Sequence, residues 1–519
     1  MRDARQLPLK VRTQRRGMSV AVLLAALAVA VALSALTSGC APTMSNPAEY
    51  AERPISAEAG LDYFSKTGGG DPYATGMAYP VFLALMDIFP DELGKDFPAF
   101  EEKFGFYPPP EAKGDPHAVP VGFHVTTDPN SSVSWLVGNC TICHSERLRL
   151  PGGDVMVLGM GNKRVRPHEY QNALIRIGLA QNLSDDAVLG AATRHAREEH
   201  LIWPELMRGP IVRATLSGLR AYARQRRGEL SMWKDAVPGR MATIESFALA
   251  VNRFQKEQIK LAPNVGWAKV PDIRSFPFRE TFSYDGSGFG SPQALVLEAD
   301  FLLGARPEWY ISHPHIATSM YLFLKGFTRK LPYPAKIDAD LAVQGKAAFA
   351  RTCAHCHGHY VDHDGEMRVS YKETVIPKEI VGTDPARVDA VTSSFVSVSN
   401  SIPLTRGYTA VKNTGGYVPP VLLDVWARGV LGHAGQWPSI AVMAQPEAER
   451  PRTFIVDTEG DYDLARIGVR YEASPERPLH RGEYFYDGNK PGYHVTGHTF
   501  LSDLPDNERR AVMEYLKTI

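Results

Sequence analysis

No surplus charge of either sign marks this sequence. Its 519 residues carry 57 Lys+Arg against 57 Asp+Glu, so it lacks the basic excess of a nucleic-acid footprint, and no nucleic-acid partner is expected. Cysteine is scarce. Five residues, at 40, 140, 143, 353 and 356, would at face value give an exported protein two disulfides and a spare. Residues 262–300 lack any hydrophobic period and read as loop. The acidic run Asp362-His363-Asp364-Gly365-Glu366 lacks the ligand register of a calcium hand and reads as solvated loop. What is plentiful is Gly (44) and Pro (39), which favours long irregular connections over a compact bundle. The length suits two or three domains.

The first 40 residues stand apart. Arg2, Arg5, Lys10, Arg12, Arg15 and Arg16 precede an almost pure Ala/Val/Leu run from Met18 to Leu36, and Thr37-Ser38-Gly39-Cys40 follows. Charge, apolar run and small residues in that order read as an export signal. Cys40 after small residues suggests a lipoprotein cleavage site that leaves Cys40 lipidated. An uncleaved membrane anchor and a plain cleaved signal are the alternatives. All three export the chain to the periplasmic or cell-surface side, and the first two attach it to a membrane.

The remaining cysteines fall into Cys140-Thr141-Ile142-Cys143-His144 and Cys353-Ala354-His355-Cys356-His357. Both are CxxCH. Two thiols three positions apart on one turn can each add to a haem vinyl group, and the histidine after the second thiol can then reach the iron. CxxC by itself also serves zinc and thiol redox chemistry. Two CxxCH copies in an exported chain, with no cysteine left for a disulfide, point to two haem c groups. Cys140, Cys143, Cys353 and Cys356 would be the attachment residues, with His144 and His357 as proximal iron ligands.

The expected fold is mainly α, with two cytochrome c-like haem domains and extensive irregular loops. Its divisions are a signal at 1–40, an irregular N-terminal region at 41–125, a first haem c region at 126–332 and a C-terminal cytochrome c domain at 333–519. Residues 165–260 read as mostly helical, as does Ala317–Phe327, and Lys330-Leu331-Pro332-Tyr333-Pro334 reads as a linker. Asp340–Arg351 and Asp506–Ile519 read as the first and last helices of the C-terminal domain. Gly345, Phe349 and Tyr515 suit a close crossing between them.

Candidates for the sixth ligand of the second iron are His433, Met443, His480, His494 and His498. His355, His359 and His363 lie too close in sequence to the proximal side to swing across, so surface or propionate roles suit them. For the first iron, His168, His195, His200, His313 and His315 are available and none stands out. Phe278, Phe282, Phe289 and Phe301 are candidate pocket walls.

From about residue 330 onward the sequence resembles the dihaem c-type cytochromes related to bacterial rubber oxygenase and fatty-acid dioxygenases, a group distantly similar to dihaem cytochrome c peroxidases. The resemblance is carried by Pro332-Tyr333-Pro334 and Asp338, Cys353 to Gly358 with Tyr360, and Val381 to Arg387. It continues through Gly416 to Pro420, Val425 to Arg428, Leu431 to Gly435, Glu449-Arg450-Pro451, Gly497 to Phe500 and Tyr515 to Thr518. These cover about a third of the chain. In the first half the likeness is confined mainly to Cys140–His144 and Gly159-Met160-Gly161-Asn162. The resemblance implies a bis-histidine second haem with His498 as sixth ligand. It also implies an open distal face on the first haem. It therefore implies an oxidoreductase whose His144-ligated iron meets dioxygen or peroxide, while the His357-ligated haem relays electrons. Redox partner proteins and an apolar small-molecule substrate would follow. A non-enzymatic electron-transfer cytochrome and a dihaem peroxidase remain as alternatives.

Overall fold

The computed structural model describes residues 54–67, 76–112, 115, 117–128, 131–253, 255–290, 313–402, 409–460 and 462–519. The expected export signal with Cys40, Phe301 and the side chain of Phe282 lie outside the described residues.

The expectation of a mainly α fold with two cytochrome c-like domains is overturned. Helix accounts for 42% and strand for 17%, the strands spread over eight small antiparallel sheets among the described residues. Trp135-Leu136-Val137-Gly138 lies in the strand Ser134–Gly138, the centre of a three-stranded sheet between Gly76–Ala78 and Phe123–Thr127. The first motif runs straight into a hairpin, Ser145–Leu150 with Gly153–Leu158. Its alternation is legible in hindsight, because Glu146 and Leu148 point inward while Arg147 and Arg149 pair with Glu459. A third sheet places Thr453–Asp457 between Tyr471–Ala473 and Glu483–Asp487.

The stretch expected to be irregular, 41–125, holds helices at Tyr79–Ile88 and Phe97–Phe104. Pro80 and Pro98 sit in their first turns, where a missing N–H costs nothing. These helices pack with Pro167–Leu179, Asp185–Glu198 and Glu205–Arg226 around Phe100, whose buried ring meets six other aromatic rings. The helical reading of 165–260 is realised by those last three helices and Thr243–Asn252.

His168 stacks on Trp233 with centroids 4.4 Å apart, and its Nε2 accepts the Ala242 N–H at 3.0 Å. Burial pushes its imidazole down to about 4, so it stays neutral and keeps that acceptor. An unfolded histidine takes up a proton near pH 6.5. Between about pH 6.5 and 4 the unfolded chain therefore binds a proton that the folded chain refuses, and stability is lost as pH falls through this window. His168→Gln retains an acceptor without the titration. Urea midpoints at about pH 7 and pH 4.5 should differ less in the variant than in the natural chain; an equal acid loss in both would assign the slope to other groups.

The second core surrounds the second motif. Phe349, Trp426, Trp437, Leu501, Val512 and Tyr515 share it with Leu148, Val157 and Met160 from the first motif's hairpin and the loop after it. The two motif regions are thus interlocked. Between them lies a buried ionic group in which Arg274 pairs with Asp272 (2.7 Å) and Asp424 (2.8 Å), and Arg428 approaches Asp272 at 2.9 Å. Mutual pairing is what makes four charges tolerable there. Among the described residues no helix is long and apolar enough to cross a membrane.

Candidate functional site

The second motif is built by helix continuation. Asp338 accepts the Leu341 N–H at 3.0 Å and starts the helix Ala339–Thr352. The chain keeps turning through the motif, since Cys353 N donates to Phe349 O (2.8 Å) and His357 N to Cys353 O (2.9 Å). Gly358, at φ +81°, ends the turn. Cys353, Cys356 and His357 consequently face one cavity, walled by Phe349, Val425, Leu431, Trp437, Ile440, Leu501, Val512 and Leu516.

His357 is held in one tautomer. Its Nδ1–H donates to Pro420 O at 2.8 Å, which leaves the Nε2 lone pair for a metal. Tyr360, the aromatic just behind the motif, donates to His357 O at 2.6 Å and accepts Leu422 N–H at 2.7 Å, locking the same loop. Burial pushes His357 down to about 4, against the raising effect of the Pro420 bond. The ring is neutral, as an iron ligand must be.

Of the five sixth-ligand candidates, His433, Met443 and His498 line this cavity. His480 is exposed, and His494 turns outward to pair with Asp384 at 2.7 Å. His433 is occupied by a stack on Tyr417, centroids 4.5 Å apart. His498 faces His357 with ring centroids 6.1 Å apart. An iron bonded to both rings needs about 6 Å between centroids, given Fe–N bonds of about 2 Å. Burial also holds His498 down near 4. The placement depends on backbone: Gly497 and His498 both adopt left-handed φ, +75° and +49°. Gly497 has to be glycine, because a Cβ there would lie 2.2 Å from the Gly382 carbonyl carbon.

The first motif is a single tight turn between strands. Asn139 caps it by accepting Thr141 N–H (3.0 Å) and its hydroxyl (2.6 Å). Asn162, from the Gly159–Asn162 segment, braces it: its N–H donates to Cys143 O at 2.8 Å and its Nδ2 to Ile142 O at 3.1 Å. His144 repeats the pattern of His357, with Nδ1 donating to Pro271 O at 3.2 Å and burial pushing the ring down to about 4. Cys140 packs on a cluster containing Tyr63, Phe64, Phe276, Met320 and Leu324.

The first-iron candidates scatter. His168 is used by Trp233 and Ala242, His195 pairs with Asp87 at 2.8 Å, and His200 is exposed. His313 and His315 lie together, with His315 against Tyr63 at 6.1 Å. Phe278 packs on the second motif's core rather than at the first, and Phe289 lies under Lys412. His355, His359 and His363 are exposed, the last at the tip of the hairpin His359–His363 with Glu366–Ser370.

The motif thiols are not set up for thiol exchange. A redox CxxC needs a depressed thiol pKa, yet burial pushes Cys143 up to about 12 and Cys353 up to about 11. No disulfide closes either motif. Among the described residues no group of three or more His, Cys, Asp or Glu could hold a bare metal ion. A haem iron needs no such group, because the macrocycle supplies four of its six donors. Two buried donors on the cavity wall, Gln436 Nε2 and Thr383 Oγ1, have no acceptor among the described residues. Lys269, Arg279 and Arg428 line the same cavity. These three already have partners in Val430 O, Glu373 and Asp272; an occupant that is apolar over most of its surface and carries acceptor oxygens would satisfy Gln436 and Thr383, so the residues fit a haem.

Three elements of this site had no sequence signal strong enough to find them: the Pro271 and Pro420 carbonyls that orient the two histidines, and Gln436. That both acceptors belong to prolines is the one regularity a sequence reader could have used.

No protein-family model matches the chain. It is similar to two uncharacterized proteins of Sinorhizobium fredii. One, y4iJ, is 24% identical over 242 residues, covering 35% of this chain and 39% of the relative. The other, y4iM, is 26% identical over 202 residues, covering 32% and 42%. The chain thus spans well under half the length of either relative.

Proposed function

We propose that this chain is an exported dihaem c-type cytochrome acting as an oxidoreductase. Haem c would be joined to Cys140 and Cys143 and to Cys353 and Cys356, and the protein would be membrane-attached through a lipidated Cys40. The observation that carries the reading is the facing pair His357 and His498, 6.1 Å apart across an apolar cavity that also exposes Cys353 and Cys356. When bound, haem supplies one-electron transfer and, at an iron with an open axial position, reaction with dioxygen or peroxide.

The chain's own residues divide the labour. Pro420 and Pro271 fix the tautomers of His357 and His144. The apolar wall from Phe349 to Leu516 excludes water from the second site. With His357 and His498 both available to hold it, a haem at this site would be suited to relay electrons, and the His144 site would be left for substrate chemistry. Pro271 serves both sites, because its carbonyl accepts from His144 while the residue lines the cavity of His357. Haems held at the two motifs would thereby share Pro271 as a common contact, which would favour electron exchange between them.

Electron paramagnetic resonance of the oxidised protein, with and without imidazole, tests the division. The natural chain should give one low-spin signal that ignores imidazole and one high-spin signal that imidazole converts. His498→Ala should turn the low-spin centre high-spin by one haem equivalent. An unchanged spectrum in that variant sinks the ligand assignment. Two low-spin signals in the natural chain would favour a pure electron-transfer cytochrome, and peroxide turnover by the high-spin centre would favour the peroxidase reading.

A further inference from the structure

Arg450 is a buried cation that forms no direct ion pair among the described residues, although the Glu447 and Asp503 carboxylates act on it at longer range. It is 3% exposed, and among the described residues all its hydrogen bonds go to main-chain carbonyls. Nε donates to Gln445 O (3.0 Å), Nη2 to Met443 O (2.9 Å), and Nη1 to Gly497 O (2.5 Å) and Val495 O (3.4 Å). Its guanidinium carbon lies 5.5 Å from the Trp437 ring centroid, and Trp437 in turn lies 5.9 Å from the His498 ring. Trp437 Nε1 donates to the same Val495 carbonyl at 3.3 Å.

These contacts converge on the residues just before His498. Left-handed φ at a non-glycine residue is uncommon and persists only where surroundings enforce it. The Gly497–His498 step is pinned from three sides: Arg450 holds Gly497 O, Glu447 accepts Gly497 N–H at 2.8 Å, and His498 N–H donates to Val381 O at 2.7 Å. A planar fork with donors in fixed directions can hold four carbonyls at once, which an ammonium cannot. Its positive charge, offset only in part by Glu447 and Asp503, weighs against any neighbouring centre that gains positive charge on oxidation.

We infer that Arg450 is a positioning residue with two separable effects on the second centre: its fork holds His498 in ligating geometry, and its charge raises the reduction potential of the haem held by His357 and His498. This rests on the dihaem reading above.

Two variants separate the effects. Arg450→Lys keeps the charge and loses the fork, so a high-spin fraction should appear at the second centre. Arg450→Gln removes the charge as well as the fork, so its potential is read against that of Arg450→Lys, which has lost the fork alone. Arg450→Gln should lower the midpoint potential of that centre by a tenfold or larger change in the oxidised-to-reduced ratio, ~59 mV for one electron. Both would be followed by paramagnetic resonance and spectroelectrochemical titration, with haem per chain and melting temperature measured alongside. If both variants keep the natural spin state and potential while only the melting temperature falls, Arg450 is merely structural and the inference is overturned. A pyridine haemochrome assay of the natural chain reads the underlying proposal separately: absence of haem c there would remove the dihaem reading itself, whatever the variants did to stability.

Discussion

A chain carrying Cys353→Ala and Cys356→Ala together should retain one haem after denaturation where the natural chain retains two. Iron–histidine bonds come apart when the fold does, whereas thioether bonds survive denaturant, so haem staining after denaturing electrophoresis counts only covalent attachment. The structure sharpens the expectation at this motif. Both thiols line the cavity of His357 and neither is in a disulfide. Their pKa values are raised by burial, the wrong direction for a motif that works by thiolate exchange. Retention of two haems by the double variant would sink the reading of Cys353-Ala354-His355-Cys356-His357. The matching change at Cys140 and Cys143 should remove the other haem and leave the second motif loaded.

Gly345→Ala should destabilise the fold by about 2–3 kcal/mol, against what helix propensity alone would say. In an open helix interior, alanine is favoured over glycine by up to about 1 kcal/mol. At Gly345, however, an added Cβ would lie 1.8 Å from Ala511 O, 2.4 Å from its carbonyl carbon and 3.0 Å from Tyr515 Cβ. Those first two atoms are main chain of the Asp506–Leu516 helix and cannot rotate away. The crossing helices must separate, breaking the Phe349–Tyr515 contact at 5.2 Å and loosening the turn that carries Cys353. Gly218, exposed on the helix Glu205–Arg226 with nothing within 4 Å of a Cβ, is the internal control: Gly218→Ala should stabilise by about 0.5–1 kcal/mol. Denaturant midpoints for the two variants should move in opposite directions. A neutral or stabilising Gly345→Ala would mean that the helices do not cross this closely.

The helix crossing was legible in the sequence for a simple reason. Asp340–Arg351 and Asp506–Ile519 each show an apolar stripe at helical spacing, and a glycine within such a stripe marks a close approach. The observed helices, Ala339–Thr352 and Asp506–Leu516, differ from those bounds by a few residues at the ends. The strands escaped because they are short and polar on one face. Ser145–Leu150 reads as Ser-Glu-Arg-Leu-Arg-Leu, and Glu146 is buried there only because Tyr107 and Lys163, distant in sequence, arrive to satisfy it. No local pattern announces that a glutamate belongs inside. The mainly α expectation failed at segments of this kind.

The sequence by itself determined the local geometry of the two motifs: four cysteines and two histidines in a spacing that one turn brings together, the arrangement on which the haem c proposal rests, because adjacent positions on a turn need no long-range help to converge. It also supplied the two helices that meet at Gly345. Only the tertiary structure decided which distant groups come to each motif. His498, 141 positions further along the chain, reaches His357 by way of a left-handed step braced by Arg450. Pro271 and Pro420 turn their carbonyls to the two histidine rings. Those pairings depend on packing between segments far apart in the chain, and contacts of that range leave no period in the residues that make them.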